Sequence, residues 1–358
     1  MEKRYNLTDK TVGAFIALLK AGLWETDVQL SPYGEIDFPA IQKLAEEQSV
    51  VGLVAAGMEH VSDTKIPKQA LLQFIGTTLQ IEDCNKAMNY FIGVLVDKMR
   101  DAGIYTLLVK GQGVAQCYER PLWRSSGDVD FLLDGQDYRK AIDFLLPLSC
   151  GNKPEERYSS HLGITIDPWY VEAHGSLRTG LSARVDKVVD EVHHDTFANG
   201  NVRAWRNGET DVFLPGVDND VFFVFTHYIK HFYKEGMTLR QVCDWCRLLW
   251  KFKNDVDEEL LIKRLKKAGL MDEWRAFATL AVEYLGMPED AMPLLDKDRT
   301  WQNKAEQIMS FLLRGYSGRK VKDTYQLSKI FPWKTLKYSP SIFLNVNWLK
   351  IKERLLGV

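Results

Sequence analysis

Two apolar runs separated by a glycine-containing turn, the second opening on a pair of carboxylates, constrain this chain more than any other feature. Leu107-Leu-Val-Lys-Gly-Gln-Gly-Val-Ala-Gln116 is followed by Trp123-Arg-Ser-Ser-Gly-Asp-Val-Asp-Phe-Leu-Leu133. The first run predicts a strand over Tyr105–Val109, a turn at Lys110-Gly111 and a short helix over Gln112–Tyr118. The second predicts a strand over Val129–Leu133. Side chains two apart on a strand share a face, so Asp128 and Asp130 point the same way. Adjacent carboxylates repel unless a cation lies between them or they share a proton. With Lys110, Gly111 and Arg124 close in sequence, a divalent metal carrying a polyphosphate is a fitting occupant.

The rest of the chain narrows the class. Its 358 residues leave room for two or three domains, and 46% hydrophobic with 26% charged residues is a globular rather than a disordered composition. No apolar run reaches the roughly 18 residues of a membrane span, so no transmembrane segment is expected. Met1-Glu-Lys-Arg-Tyr-Asn6 has no apolar stretch behind its charges, which argues against a signal peptide. Five cysteines at irregular spacing predict a reducing, cytoplasmic setting. The net charge of -2 conceals a basic segment, Arg314–Val358, with ten Lys/Arg against two Asp/Glu. Docking of this segment on its own acidic body accounts for it, and Phe331, Trp333, Phe343 and Trp348 suit a docked rather than a free arm.

Periodicity predicts an α+β fold: a small mixed sheet flanked by N-terminal and C-terminal helical regions. Helices are expected over Val12–Leu23, capped by Asp9 or Thr11, over Phe38–Glu47, capped by Asp37 with Pro39 early, over Val50–Val61, and over Lys68–Ala102, stopped by Gly103. Gln136–Leu146 reads as a helix, Gly151–Ser160 as a polar loop, and Gly163–Ile166 and Trp169–His174 as strands joined at Asp167-Pro168. Leu181–Val192 is mostly helical, and Asn201–Trp205 with Asp211–Phe213 predicts a hairpin across Asn207-Gly208. Helices follow over Asn219–Tyr233, Leu239–Phe252, Glu258–Ala268, Asp272–Leu285 and Trp301–Arg314. The implied regions are 1–103 (helical), 104–214 (the α/β core), 215–315 (helical) and 316–358 (basic, with aromatics).

Lys110-Gly111, Arg124, Asp128-Val-Asp130-Phe-Leu-Leu and Val171-Glu-Ala-His174 together resemble the nucleotidyltransferase superfamily of the DNA-polymerase-β type. More narrowly, they resemble a bacterial family of functionally uncharacterised nucleotidyltransferases with a Lys-Gly, Arg…Asp-x-Asp core. The resemblance takes in the helix near Phe38–Val61 and Phe223-Val-Phe-Thr-His227-Tyr-Ile-Lys-His231-Phe, with Arg240 and Asp244 beyond. It implies Mg2+ (or Mn2+) held by Asp128, Asp130 and Glu172, which are also the catalytic carboxylates. It further implies a nucleoside triphosphate such as ATP as donor, bound by Lys110, Gly111, Gln112 and Arg124. The superfamily places Ser or Gly where Gln112 stands; Gln112 could still offer an amide N–H to phosphate.

Other groups are candidates for the margins of that site. His174 shares a face with Glu172 and could line the acceptor side or hold a ligand in place; His227 and His231, four apart on a helix, could do the same or bind zinc. Lys230 and Arg240 could close over the nucleotide. A single Cys243-Asp-Trp-Cys246 reads as helix packing. The acidic body argues against a nucleic-acid acceptor, and the acceptor and oligomeric state stay open. A nucleotide-binding module without catalysis and a metal-dependent phosphohydrolase are the alternative functions.

Overall fold

The computed structural model describes residues 7–150, 155–158, 160–313 and 327–340. Helix α1 (Lys10–Trp24) starts where the Asp9 carboxylate accepts a hydrogen bond from the Thr11 N–H. Helix α2 (Phe38–Glu47) starts at Asp37 with Pro39 in its first turn, α3 is Val51–Glu59, and α4 (Lys68–Asp101) runs for 34 residues. Strand β1 (Leu107–Val109), helix α5 (Gly111–Ala115), strand β2 (Val129–Leu132) and helix α6 (Gly135–Leu145) follow. Strands β3 (Glu155–Tyr158), β4 (His161–Ile166) and β5 (Trp169–His174) complete a five-stranded sheet in the order β1-β2-β5-β4-β3. β2 and β5 run parallel and the remaining pairs antiparallel, so the sheet is mixed.

The two faces of the sheet are chemically opposite. Val129 and Phe131 of β2, Val171 and Ala173 of β5, and Leu162 and Ile164 of β4 are buried against Met88, Ile92, Leu95 and Met99 of α4 and Ala141 and Leu145 of α6. The alternate residues, Asp130, Glu172, His174, Gly163 and His161, therefore line the other face. Slipping β2 by one residue would turn Phe131 into the polar face and Asp130 into the core. Burial of a side chain of that size stabilises by about 1.5–3 kcal/mol, so the apolar face fixes the register.

Helix α7 (Ala183–Ala198) leads to a separate hairpin of β6 (Val202–Asn207) and β7 (Thr210–Pro215). Asn207 pairs with Thr210, so the turn residues are Gly208 and Glu209, one position later than Asn207-Gly208. Gly208 carries the positive φ of 61° that such a turn requires first. Helices α8 (Val217–Lys230), α9 (Leu239–Lys251), α10 (Glu258–Ala268), α11 (Met271–Leu285), α12 (Arg299–Leu312) and α13 (Pro332–Tyr338) then build the helical body. A single π-turn, His231–Glu235, separates α8 from α9. Phe225, Tyr228, Trp245, Trp274 and Phe277 form the centre of that body, with ring centroids 4.7–5.8 Å apart.

The first three helices belong to the same core as α8–α13. Trp24 donates its indole N–H to Leu285 O, and the Gln48 amide donates to Leu312 O. In the basic C-terminal segment Phe331 is buried against Phe232, Lys334 pairs with the buried Glu273 at 3.0 Å, and Trp333 stays 82% exposed. Phe343 and Trp348 lie outside the described residues.

Helices α1 and α3 touch through glycines. A Cβ on Gly22 would stand 1.8 Å from Leu53 O, and one on Gly57 would stand 2.0 Å from Leu18 O. Both obstacles are backbone, so a side chain forces the helices apart. Gly57→Ala is expected to cost about 1–3 kcal/mol in denaturant unfolding. Gly76→Ala, on open helix surface, should be neutral or stabilising. Equal effects at the two positions would contradict the close approach.

Candidate active site

The site is assembled by register. Val109 of β1 pairs with Asp130 of β2, and Asp130 pairs with Glu172 of β5. Past Val109 the backbone reverses through Lys110 (φ 59°, ψ -147°) and Gly111 (φ 39°). A conformation of that kind costs a lysine on the order of 1–3 kcal/mol and persists where the surroundings impose it. Here the constraint is an ion pair: Lys110 Nζ lies 2.8 Å from Asp130 Oδ1. His174 Nε2 is also 2.8 Å from Asp130 Oδ1, and 3.3 Å from Glu172 Oε2. Asp128 sits just before β2, nearer the surface, and Asp130 is 3% exposed.

Asp128, Asp130 and Glu172 each offer a carboxylate oxygen, all within 4.8 Å of one another. Hard oxygen donors at that spacing fit Mg2+ or Mn2+. The electrostatics reflect the crowding. Repulsion from Asp130, with burial, raises the Asp128 pKa. Burial raises Asp130 and Glu172 too, but the groups beside them win: the charge of Lys110 and the contact with His174 hold Asp130 below its usual range, and contacts with His161 and His174, with the charge of Lys110, do so for Glu172. Burial opposes charge on Lys110 and His174, yet the carboxylates raise both. The Lys110 ammonium, with His174 shifted toward its protonated form, therefore lies among the acids where cationic charge is favoured.

Gln112 is turned away from this cluster. Its amide, 2% exposed, donates to Asn85 Oδ1 of α4 at 2.6 Å, and Asn85 in turn donates to Leu122 O and Arg124 O. The side chain thus pins the turn to α4 and is not presented to a phosphate. Arg124 is likewise committed: its Nε and Nη2 grip Asp244 of α9 at 2.6 and 2.7 Å, and Tyr118 donates to the same carboxylate. Burial disfavours the guanidinium charge, but Asp244 overrides it and raises the pKa. Arg240 donates to Ser125 O at 2.9 Å, so it and Arg124 hold the loop leading into Asp128.

Lys230, His227 and His231 form a third group. Lys230 pairs with Glu235 at 3.3 Å, His227 Nε2 meets His231 Nε2 at 3.0 Å, and His231 Nδ1 meets Glu235 at 3.0 Å. Glu235 thus lies on the opposite ring nitrogen from His227, so the three do not converge on one point as zinc would require. Burial, then the charge of Lys110, holds His227 well below 6.5, and burial is the main cause bringing His231 to about 4. Cys243 and Cys246 are buried free thiols whose pKa values burial pushes up, which suits packing.

His161 belongs to the site although it falls between the polar loop ending at Ser160 and the strand expected from Gly163. A two-residue turn at Asp167-Pro168 pairs residues equidistant from it, so His161 has to face His174. Gly163 is the neighbour of Glu172, and a Cβ there would meet the Tyr170 hydroxyl at 2.2 Å.

The mixed sheet thus gathers carboxylates from two strands beside a basic glycine turn. The chain belongs to the family described as uncharacterised nucleotidyltransferase, which it matches over residues 34–286, and it is accordingly a transferase of that family. No curated protein and no solved structure gives a significant match.

The proton on His174 has a stability consequence. In the unfolded chain His174 titrates near its ordinary 6.5, and in the fold its pKa is raised. Its charge thus contributes stability that is fully present below about pH 6.5 and is lost as pH rises through the folded-state value. The stability gap between wild type and His174→Gln, measured by denaturant unfolding in EDTA, should shrink as pH rises from about 6.5. A gap independent of pH would contradict the assigned proton.

Proposed function

We propose that the chain transfers a nucleoside monophosphate from a nucleoside triphosphate to an acceptor hydroxyl and releases pyrophosphate. One observation carries this reading: Asp128, Asp130 and Glu172 converge within 4.8 Å beside Lys110-Gly111 in a nucleotidyltransferase family member. Asp128, Asp130 and Glu172 would hold Mg2+ or Mn2+, which when bound neutralises phosphate oxygens and favours ionisation of the acceptor hydroxyl.

The chain's own groups supply the rest. Lys110, relieved of Asp130, places its ammonium on the triphosphate, and Gly111, with no side chain, lets a phosphate approach the turn. Arg240 has a buried Nε without a hydrogen-bond partner among the described residues, a donor suited to an anionic oxygen near Asp128. Lys230, paired with Glu235, is a further candidate for the triphosphate. Glu172 stays ionised, so it is a weak base and serves to orient the acceptor hydroxyl by accepting its hydrogen bond. The acceptor oxygen then bonds to the α-phosphorus, the bond from that phosphorus to the bridging oxygen breaks, pyrophosphate leaves with the electron pair, and the hydroxyl proton passes to solvent. The sheet favours no particular acceptor among small molecules, sugars and protein side chains.

Incubation with each nucleoside triphosphate, Mg2+ and a panel of acceptors should yield pyrophosphate. Asp130→Asn should lower that rate by at least about 100-fold, since it removes several kcal/mol of charge stabilisation. Orthophosphate in place of pyrophosphate would establish a phosphohydrolase. Nucleotide binding with no turnover across the panel would establish a binding module.

A further inference from the structure

We infer that His161, Glu172 and His174 form a second cation site, selective for a transition-metal dication such as Co2+ or Zn2+ over Mg2+. The inference rests on the nucleotidyltransferase reading only for its purpose, since the donor set stands on its own.

The three residues come from β4 and β5. His161 pairs directly with His174 across the strands, and their rings stack with centroids 4.8 Å apart. Both Nε2 atoms lie 3.3 Å from the same oxygen, Glu172 Oε2, and one donor atom from each residue falls within 4.8 Å of the others. A tetrahedral ion with bonds of about 2.0–2.1 Å to N and O spaces its ligand atoms roughly 3.3 Å apart. The two nitrogen–oxygen distances match such a spacing.

Two further features separate this group from ordinary packing. His161 Nε2 is buried and has no aligned hydrogen-bond partner, because its approach to Glu172 is off the line of a hydrogen bond. An imidazole nitrogen in that state is either a wasted donor, costing about 1–3 kcal/mol, or an available ligand. His174 Nε2 faces two carboxylates at once, Asp130 at 2.8 Å and Glu172 at 3.3 Å, a crowding of anionic oxygens that a cation would relieve.

The chemistry of the donors sets the selectivity. Imidazole suits borderline ions such as Zn2+ and Co2+, whereas Mg2+ prefers oxygen and water. Glu172 belongs to both groups, meeting Asp128 and Asp130 in one and the two histidines in the other. A shared carboxylate lets the histidine site take a cation beside the oxygen site. In the proposed reaction such an ion would bear on Glu172, the group that orients the acceptor hydroxyl.

Co2+ titration of metal-free full-length protein tests this by visible absorption. Wild type should show the strong d–d bands of a low-coordinate ion, and excess Mg2+ should not displace them. His161→Gln should weaken Co2+ binding by at least about tenfold, that is about 1.4 kcal/mol. His161→Cys should keep the site and add a thiolate-to-Co2+ band in the near ultraviolet, a signature that no structural role of His161 produces. Asp128→Asn should leave the spectrum in place. Unfolding midpoints matching wild type show that the variants fold. Co2+ binding unchanged in His161→Gln, a missing thiolate band in folded His161→Cys, or full displacement by Mg2+ would overturn the proposal. Pyrophosphate release with an unaltered spectrum in His161→Gln would refute this site alone. A histidine-dependent spectrum without nucleotidyl transfer would refute the function and leave the site.

Discussion

The strict alternation of β2 and β5 is the constraint on which the rest depends. Phe131 and Ala173 go down into an apolar core, so Asp130 and Glu172 must come up on adjacent strands in direct register. The same core burial that stabilises the sheet therefore places two carboxylates side by side. Hydrophobic packing sets the geometry of the site, and electrostatics pays the cost.

That cost is met locally. Lys110, in a backbone conformation a lysine seldom adopts, reaches Asp130, and His174 bridges Asp130 and Glu172. These cations keep two of the acids ionised while Asp128 bears the repulsion. In the proposed reaction Asp128, Asp130 and Glu172 would hold a divalent cation, which would leave Lys110 available to an anion. The loop bearing Asp128 is fixed separately, by the buried Arg124–Asp244 pair and by Arg240 on Ser125. Breaking a buried pair of that kind by removing one partner costs about 3–5 kcal/mol, so this contact anchors the loop rather than binding substrate.

The α+β class and most helix limits follow from local signals: Asp37 and Pro39 set the start of α2, and Gly103 stops the chain after α4. The placement of Asp130 and Glu172 on one face follows from period-two alternation. What stayed hidden depends on distant partners. Nothing local to Arg124 indicates Asp244, which arrives 120 residues later, and nothing local to Gln112 shows that α4 lies beneath it. Strand β3 carries Glu155-Glu-Arg-Tyr158 at the edge of the sheet, where charge is tolerated and the apolar signal of a strand is missing. His161 falls just past that stretch and before the strand expected from Gly163, although the turn at Asp167-Pro168 fixes its position opposite His174.

The central claim is that the carboxylate face directs attack at the α-phosphorus of a nucleoside triphosphate. Parallel reactions with donor labelled at the α- or the γ-phosphate test it most directly. The account predicts that α-label becomes covalently attached to an acceptor while γ-label leaves in pyrophosphate, and that both depend on Glu172. Transfer of the γ-label to the acceptor, or its release as orthophosphate, would contradict it.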